Sequence, residues 1–243
     1  MKTKELKKML TLALMKATLE KDFDKIPELV ALGADPSVVR SDTLEDVVKK
    51  KRFDVAECLL SRMSDLQDID RTFLGKDPEF SATWTHNLFS YSCCYGNLDF
   101  CKFLVSKGAD PIGKDSSILE GFPLVISVLH NQFHISDWLQ KEFNIDCSIN
   151  DSWPLKISAE YGNFDGVKYA LAHGADMHAG VDEALRLAAT NGHLEIAKYL
   201  ILEGADYSKV EADTIASILP DPDEAIEKAR KILTTKATKR TKL

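Results

Sequence analysis

The chain has 243 residues and a net charge of −7, from 31 Lys+Arg against 38 Asp+Glu. With 44% hydrophobic and 28% charged residues, and only 12 Gly and 8 Pro, its composition is that of a globular protein, not a collagen-like or low-complexity one. The acidic balance argues against a general nucleic-acid footprint, and no apolar run reaches the roughly 20 residues of a membrane span.

The charge is uneven. Residues 1–60 carry 12 basic and 11 acidic side chains, residues 61–180 carry 9 and 16, so the excess of acid lies in the middle. The five cysteines (Cys58, Cys93, Cys94, Cys101 and Cys147) form no C-x-x-C. An odd number without that motif fits reduced thiols in an intracellular, cytoplasmic protein.

At the start, Lys2, Lys4, Lys7 and Lys8 precede the apolar stretch Met9–Met15. A signal peptide has that order, but Glu5 interrupts the basic part and Lys16 and Glu20 follow it. A helix heading a repeat accounts for the same residues. Gly-Ala-Asp occurs four times, at 33–35, 108–110, 174–176 and 204–206, each time closing an apolar segment of helical period. Twelve residues before each Asp stands Phe23, Leu98, Phe164 or Leu194, and Gly96, Gly162 and Gly192 lie two residues before the last three. Phe53 with Asp65 and Phe133 with Asp146 give two weaker copies. The closing residues are therefore Asp35, Asp65, Asp110, Asp146, Asp176 and Asp206, spaced by 30, 45, 36, 30 and 30.

The columns of this frame predict a helix, a tight turn, a second helix, a glycine stop and a loop. Six residues before the Phe/Leu come Ala17, Val47, Ser92, Ser127, Ser158 and Ala188, all compact. Such a face lets helices press closely together. Six residues after it come Leu29, Leu59, Leu104, Leu139, Ala170 and Leu200, expected in the core of the second helix. Gly at −2 permits the turn, and Gly of Gly-Ala-Asp ends the second helix. One pair cannot bury its own apolar face, whereas stacked pairs can, which predicts an all-α solenoid.

The stretch Asn191-Gly192-His193-Leu194-Glu195-Ile196-Ala197-Lys198-Tyr199-Leu200-Ile201-Leu202-Glu203-Gly204-Ala205-Asp206 closely resembles the second half of an ankyrin repeat. Trp153-Pro154-Leu155 and Phe122-Pro123-Leu124 resemble its entry. The likeness runs from about residue 6 to 206. The period of 30 departs from the usual 33 or so and is similar to arrays in large DNA viruses, phages and intracellular bacteria. It implies an ankyrin-type solenoid of about six helix-turn-helix repeats with a degenerate C-terminal cap. Residues 1–233 then form one domain.

An insertion covers 66–87 and carries Phe73, Phe80, Trp84 and His86 among Asp68, Asp70, Asp77 and Glu79. Its aromatics either anchor a partner or fold back over the neighbouring groove. A cap at 207–233 contains Thr214–Leu219, interrupted by Pro220 and Pro222, and then a helix over Ala225–Leu233. Residues 2–20 cap the other end, and capped ends favour a monomer. The tail 234–243 has four basic and no acidic residues and reads as a solvated, disordered segment.

No nucleotide-binding, zinc-protease or hydrolase motif is present, and no cofactor is expected. His130 and His134 fall on opposite sides of a turn. His193 takes the family's turn-histidine position, whose usual bond is to backbone. Cys93, Cys94 and Cys101 are read as small buried residues, with a redox pair as the alternative. The resemblance implies that the exposed concave positions are His86, Ser152 and Asp182 in loops, and Cys94, Tyr95, Leu129, His130, Glu160, Tyr161, Thr190 and Asn191 on first helices. Phe122 and Trp153 sit one place further in. The expected function is non-catalytic: a protein-binding module, for a host factor if the chain is viral, with a partner whose surface is basic. The alternatives are nucleic-acid binding through Lys49–Arg52 and the basic ends, or an enzyme with a dispersed site.

Overall fold

The structure, a computed structural model, describes residues 2–62, 88–112, 120–210 and Ile218. The insertion residues Phe73, Phe80, Trp84 and His86, the closing Asp65, nearly all of the cap and the tail 234–243 lie outside the described residues. Twelve α-helices and no strand occur among those described. They fall into two compact units, Met1–Phe143 and Asn144–Leu243. In the first unit the pairs are α1 (Lys2–Leu19) with α2 (Ile26–Ala31), α3 (Ser41–Lys49) with α4 (Phe53–Leu60), α5 (Leu88–Tyr95) with α6 (Leu98–Ser106), and α7 (Phe122–Leu129) with α8 (Phe133–Phe143). In the second they are α9 (Ile149–Glu160) with α10 (Phe164–Ala172) and α11 (Ala179–Thr190) with α12 (Leu194–Glu203). The two helices of every pair touch. First helices stack on first helices, α3 on α5, α5 on α7 and α9 on α11.

Eleven of the twelve described helices end on a left-handed residue. At the turn inside the pairs these are Lys21, Lys51, Gly96, Asn131, Gly162 and Gly192, all at positive φ. The residue after the turn donates back to the compact column: Asp22 to Ala17, Arg52 to Val47, Gln132 to Ser127, Asn163 to Ser158 and His193 to Ala188, at 2.8–2.9 Å. Gly33, Gly108, Gly174 and Gly204 do the same at the end of the second helix. The Ala after each donates to Leu29, Leu104, Ala170 or Leu200 at 3.0 Å. This paired bonding satisfies carbonyls that a helix end otherwise leaves bare. The fourth pair has Asn144 in the glycine's place, at φ 53°.

The compact column is buried throughout, from Ala17 to Ala188. Its serines satisfy their hydroxyls on their own helices: Ser92 donates to the Leu88 carbonyl and Ser158 to that of Pro154, both at 2.7 Å. Three residues after the Phe/Leu stand Ile26, Ala56, Cys101, Ser136, Val167 and Ala197, all fully buried. The expected core column six residues after it holds for Leu59, Leu104, Leu139, Ala170 and Leu200. Leu29 is only half-buried, and Val30 takes its place.

Three consecutive left-handed residues open α9 (Asn150, Asp151, Ser152) and another three lie in α11 (Gly180, Val181, Asp182). A side chain there costs about 1–2 kcal/mol. Val181 is exposed and β-branched, and Lys51 holds the turn conformation without a glycine's freedom. Val181→Gly and Lys51→Gly are each expected to raise stability by roughly 0.5–1 kcal/mol, since the relief outweighs the added unfolded-state freedom of about 0.4–1 kcal/mol. Gly162→Ala is expected to lower it, because a Cβ there meets the His193 ring at 2.6 Å. Denaturant melts read both signs.

Candidate partner-binding surfaces

The closing aspartates act on backbone. The side chains of Asp35, Asp110, Asp146, Asp176 and Asp206 each accept from the amide two residues on, at 2.8–3.1 Å. The Ser37 hydroxyl and amide hold the Asp35 carboxyl below the usual carboxylate range. A second tie runs the other way. The amide of a closing aspartate donates to a side chain 24 residues earlier, at the entry of the first helix: Asp35 to Thr11 at 3.1 Å, Asp176 to Ser152 at 2.7 Å and Asp206 to Asp182 at 3.1 Å.

That tie corrects two expected contact residues. Ser152 and Asp182 are buried, Asp182 at 5% exposure, because this position points under the closing loop and not outward. Asp182 also accepts from His178 Nδ1 at 2.8 Å. Phe122 occupies the same column and is buried at the start of α7, with an apolar ring where the others have an oxygen. It too is unavailable to a partner.

The remaining expected residues lie at first-helix ends. In the first unit Tyr95 is half-buried at the end of α5, stacked on Tyr91 with ring centroids 6.3 Å apart. The Tyr91 hydroxyl donates to Glu45 at 2.8 Å, Glu45 pairs with Lys49, and the Lys49 ammonium lies 5.2 Å from the Tyr91 ring centre. Burial and the Glu45 bond push the Tyr91 phenol well above its ordinary value. The sequence frame misses this α3–α5 cluster because its members are 46 residues apart. His130 stands exposed after α7, and coverage of its ring lowers its pKa.

In the second unit Tyr161 is 57% exposed after α9. Trp153 and Glu160 are half-buried, and Asn191 is exposed after α11. Asn191 donates to the Leu187 carbonyl at 2.9 Å. His193 donates from Nε2 to the Glu160 carbonyl at 3.0 Å, tying the two first-helix ends together. Lys156 lies between Asp151 at 2.8 Å and Glu183 at 3.2 Å. Burial opposes its charge, but the two carboxylates outweigh burial and raise its pKa.

The basic run of the α3–α4 turn is largely engaged within the protein. Lys49 pairs with Glu45, Lys50 lies over the Phe23 ring, and Arg52 pairs with Asp24 and Asp54 at 2.6 and 3.0 Å. The thiols of Cys93 and Cys101 are 3.9 Å apart and fully buried. Burial raises Cys93, and pushes Cys94 to about 11 and Cys147 to about 12. Among the described residues no three His, Cys, Asp or Glu converge on a metal position, and no helix is long and apolar enough to cross a membrane.

Helix pairs with a common stop, a common tie and a compact stacking column define a helical repeat protein. Residues 124–211 match the family profile described as ankyrin repeats (3 copies), so this stretch of the chain is built of ankyrin repeats. It is similar to alpha-latrocrustotoxin-Lt1a of Latrodectus tredecimguttatus, 32% identical over 114 residues, covering 45% of this chain and 8% of the toxin. It is also similar to putative ankyrin repeat protein L66 of Acanthamoeba polyphaga mimivirus, 32% identical over 91 residues, covering 37% of this chain and 14% of that protein. Alpha-latroinsectotoxin-Lt1a of Latrodectus tredecimguttatus is 28% identical over 141 residues, covering 56% of this chain and 10% of the toxin. The chain thus spans a small fraction of the length of these relatives.

Two outcomes follow from the ties and the buried thiols. Asp182→Ala is expected to cost about 2 kcal/mol in a denaturant melt, the range for bonds to a charged acceptor. A contact residue at that place would leave the melt unchanged. A thiol reagent at mildly alkaline pH is expected to modify Cys58 first and Cys94 far more slowly in the folded protein, since burial keeps the Cys94 thiol protonated, and Cys93, Cys101 and Cys147 only on unfolding.

Proposed function

We propose that the protein is a non-catalytic module that binds a partner protein through first-helix ends and their loops. Ankyrin repeats suggest such a module in general terms. The observation that carries the particular reading is a scaffold whose own polar groups are engaged while Tyr95, Trp153 and Tyr161 keep part or most of their surface open at helix ends. Tyrosine and tryptophan on rigid backbone supply contact area at little ordering cost. His130, Glu160 and Asn191 surround them as polar neighbours within their own units.

The acidic excess of residues 61–180 favours a partner with a basic surface and speeds its encounter. The likeness to a mimivirus ankyrin protein supports a host factor as the target and the host cytoplasm as the place. Phe73, Phe80, Trp84 and His86 belong to the same proposal as additional anchors. The nucleic-acid alternative loses support because Lys49 and Arg52 are already paired with carboxylates.

The test is cross-linking and mass spectrometry of complexes formed by the full chain and by a Tyr95→Ala/Trp153→Ala/Tyr161→Ala variant with an unchanged melting profile. Partners captured by the wild type are expected to bind the variant at least about 30-fold more weakly, the loss of one strong anchor. An identical partner set at identical affinity would refute the assignment of these faces.

A further inference from the structure

We propose that the outward face of α1, with the groove beside it, binds a peptide segment of a partner that carries large apolar side chains at one end and carboxylates at the other. This rests on the reading of the chain as a protein-binding module but uses none of the residues named for it above.

The frame of the repeat starts at Thr11, whose hydroxyl takes the same tie that Ser152 and Asp182 take. Residues 2–10 of α1 therefore extend about two turns beyond the other first helices. The inner side of α1 buries Leu14 and Ala17. Away from that side Met9, Leu12, Met15 and Leu19 are 42–74% exposed, which no other described helix matches.

Its chemistry is ordered along the helix. Lys4, Lys8, Leu12, Met15 and Leu19 follow at steps of 4, 4, 3 and 4, which places them on one stripe. Two ammonium groups come first and three apolar side chains follow. Met15 and Leu19 also form one wall of a groove of about 540 Å³, with Thr18, Val38 and Thr43 among the other lining residues. That is within the usual size range of a ligand cleft. The charges at the groove are mutually satisfied, Lys21 with Asp46 at 2.6 Å and Arg40 with Asp42 at 3.1 Å. Lys7 pairs with Asp35 and Lys16 with Glu20. Lys4 and Lys8 have no carboxylate partner among the described residues. What is left open is cationic at the start of the stripe and apolar at its end.

Charge complementarity selects the occupant. A carboxylate-bearing segment meets Lys4 and Lys8 while its apolar side chains fill the groove beside Met15 and Leu19. A second copy in two-fold pairing sets the lysines of one α1 against the apolar end of the other, or against each other. A lipid surface is flat and leaves the groove unfilled.

The probe is a display library of random peptides of about 16 residues, which as a helix match the roughly 23 Å stripe, selected on the full chain. Enriched peptides are expected to combine two or more large apolar residues with a cluster of Asp or Glu. Their affinity, read by fluorescence anisotropy, is expected to fall about tenfold or more with Lys4→Glu/Lys8→Glu and with Leu12→Asp/Leu19→Asp. These side chains are exposed, so the melting temperature should stay unchanged. Tyr95→Ala/Tyr161→Ala should leave the affinity intact. No enrichment, neutral or basic peptides, or loss on the tyrosine variant alone would overturn the site while leaving the module reading standing. Concentration-dependent dimers, or binding to phosphatidylserine vesicles, that Leu12→Asp/Leu19→Asp abolishes would assign the face to those occupants and overturn it as well. If the peptides behave as expected while native partners ignore the aromatic variant, this site stands and the first-helix-end assignment fails.

Discussion

The constraint on which this structure depends is the left-handed residue at the turn inside each helix pair. Such a residue reverses the chain and lets the following amides bond the last carbonyls of the helix they terminate. Because the stop recurs at the same place in the frame, the turn inside each pair is the same, and the larger changes of spacing fall between pairs. The compact column is part of the same device. Ala17, Val47, Ser127, Ser158 and Ala188 supply the carbonyls that accept those amides, and their small side chains let neighbouring first helices approach. A bulkier residue at this column would push the stack apart and misalign the stop together.

Entry ties extend the order from helices to loops. Thr11, Ser152 and Asp182 each hold the amide of the aspartate that closes their own repeat, while that aspartate's carboxylate holds the amide two residues on. A loop pinned at both ends has little freedom left to lose. Binding residues carried on such a frame meet a partner with small ordering cost. This is why the surface aromatics are the informative groups here: the loop polar groups are occupied with the fold, while the rings of Tyr95, Trp153 and Tyr161 keep part of their surface open.

Much of this was legible in the sequence, for physical reasons. Gly-Ala-Asp names a left-handed stop directly, since glycine is the residue that tolerates it, and the aspartate names the turn that follows. Lys21, Lys51 and Asn131 adopt the same conformation with no such chemical marker, so only the frame could place them. Asp182 and Phe122 were expected at the surface and are buried, because a helix-entry position points under the closing loop whatever residue occupies it. The exposure of a loop in sequence is therefore a poor guide to the exposure of its entry residue. The Tyr91–Glu45–Lys49 cluster joins two repeats, and no pattern within one repeat reveals it. The apolar outer face of α1 was hidden by its lysines, which made the helix read as an ordinary polar cap.

Net charge needs the same correction from count to place. Many of the ions of the described residues are spent inside the fold. The described closing aspartates serve backbone amides, Lys49 and Arg52 serve neighbouring carboxylates, and Lys156 bridges two acids. Charges neutralised in this way contribute little to a partner's recognition, because their field is cancelled locally and the residue is screened by solvent. What can attract a partner is the small set left without a counter-ion. Lys4 and Lys8, which have no carboxylate partner among the described residues, belong to it, two positive charges in a net-negative chain. The two proposed partners, a basic surface for the acidic middle and an acidic segment for α1, differ in sign because the charge that counts is local, so the sign of the whole-chain charge does not determine the sign of a partner.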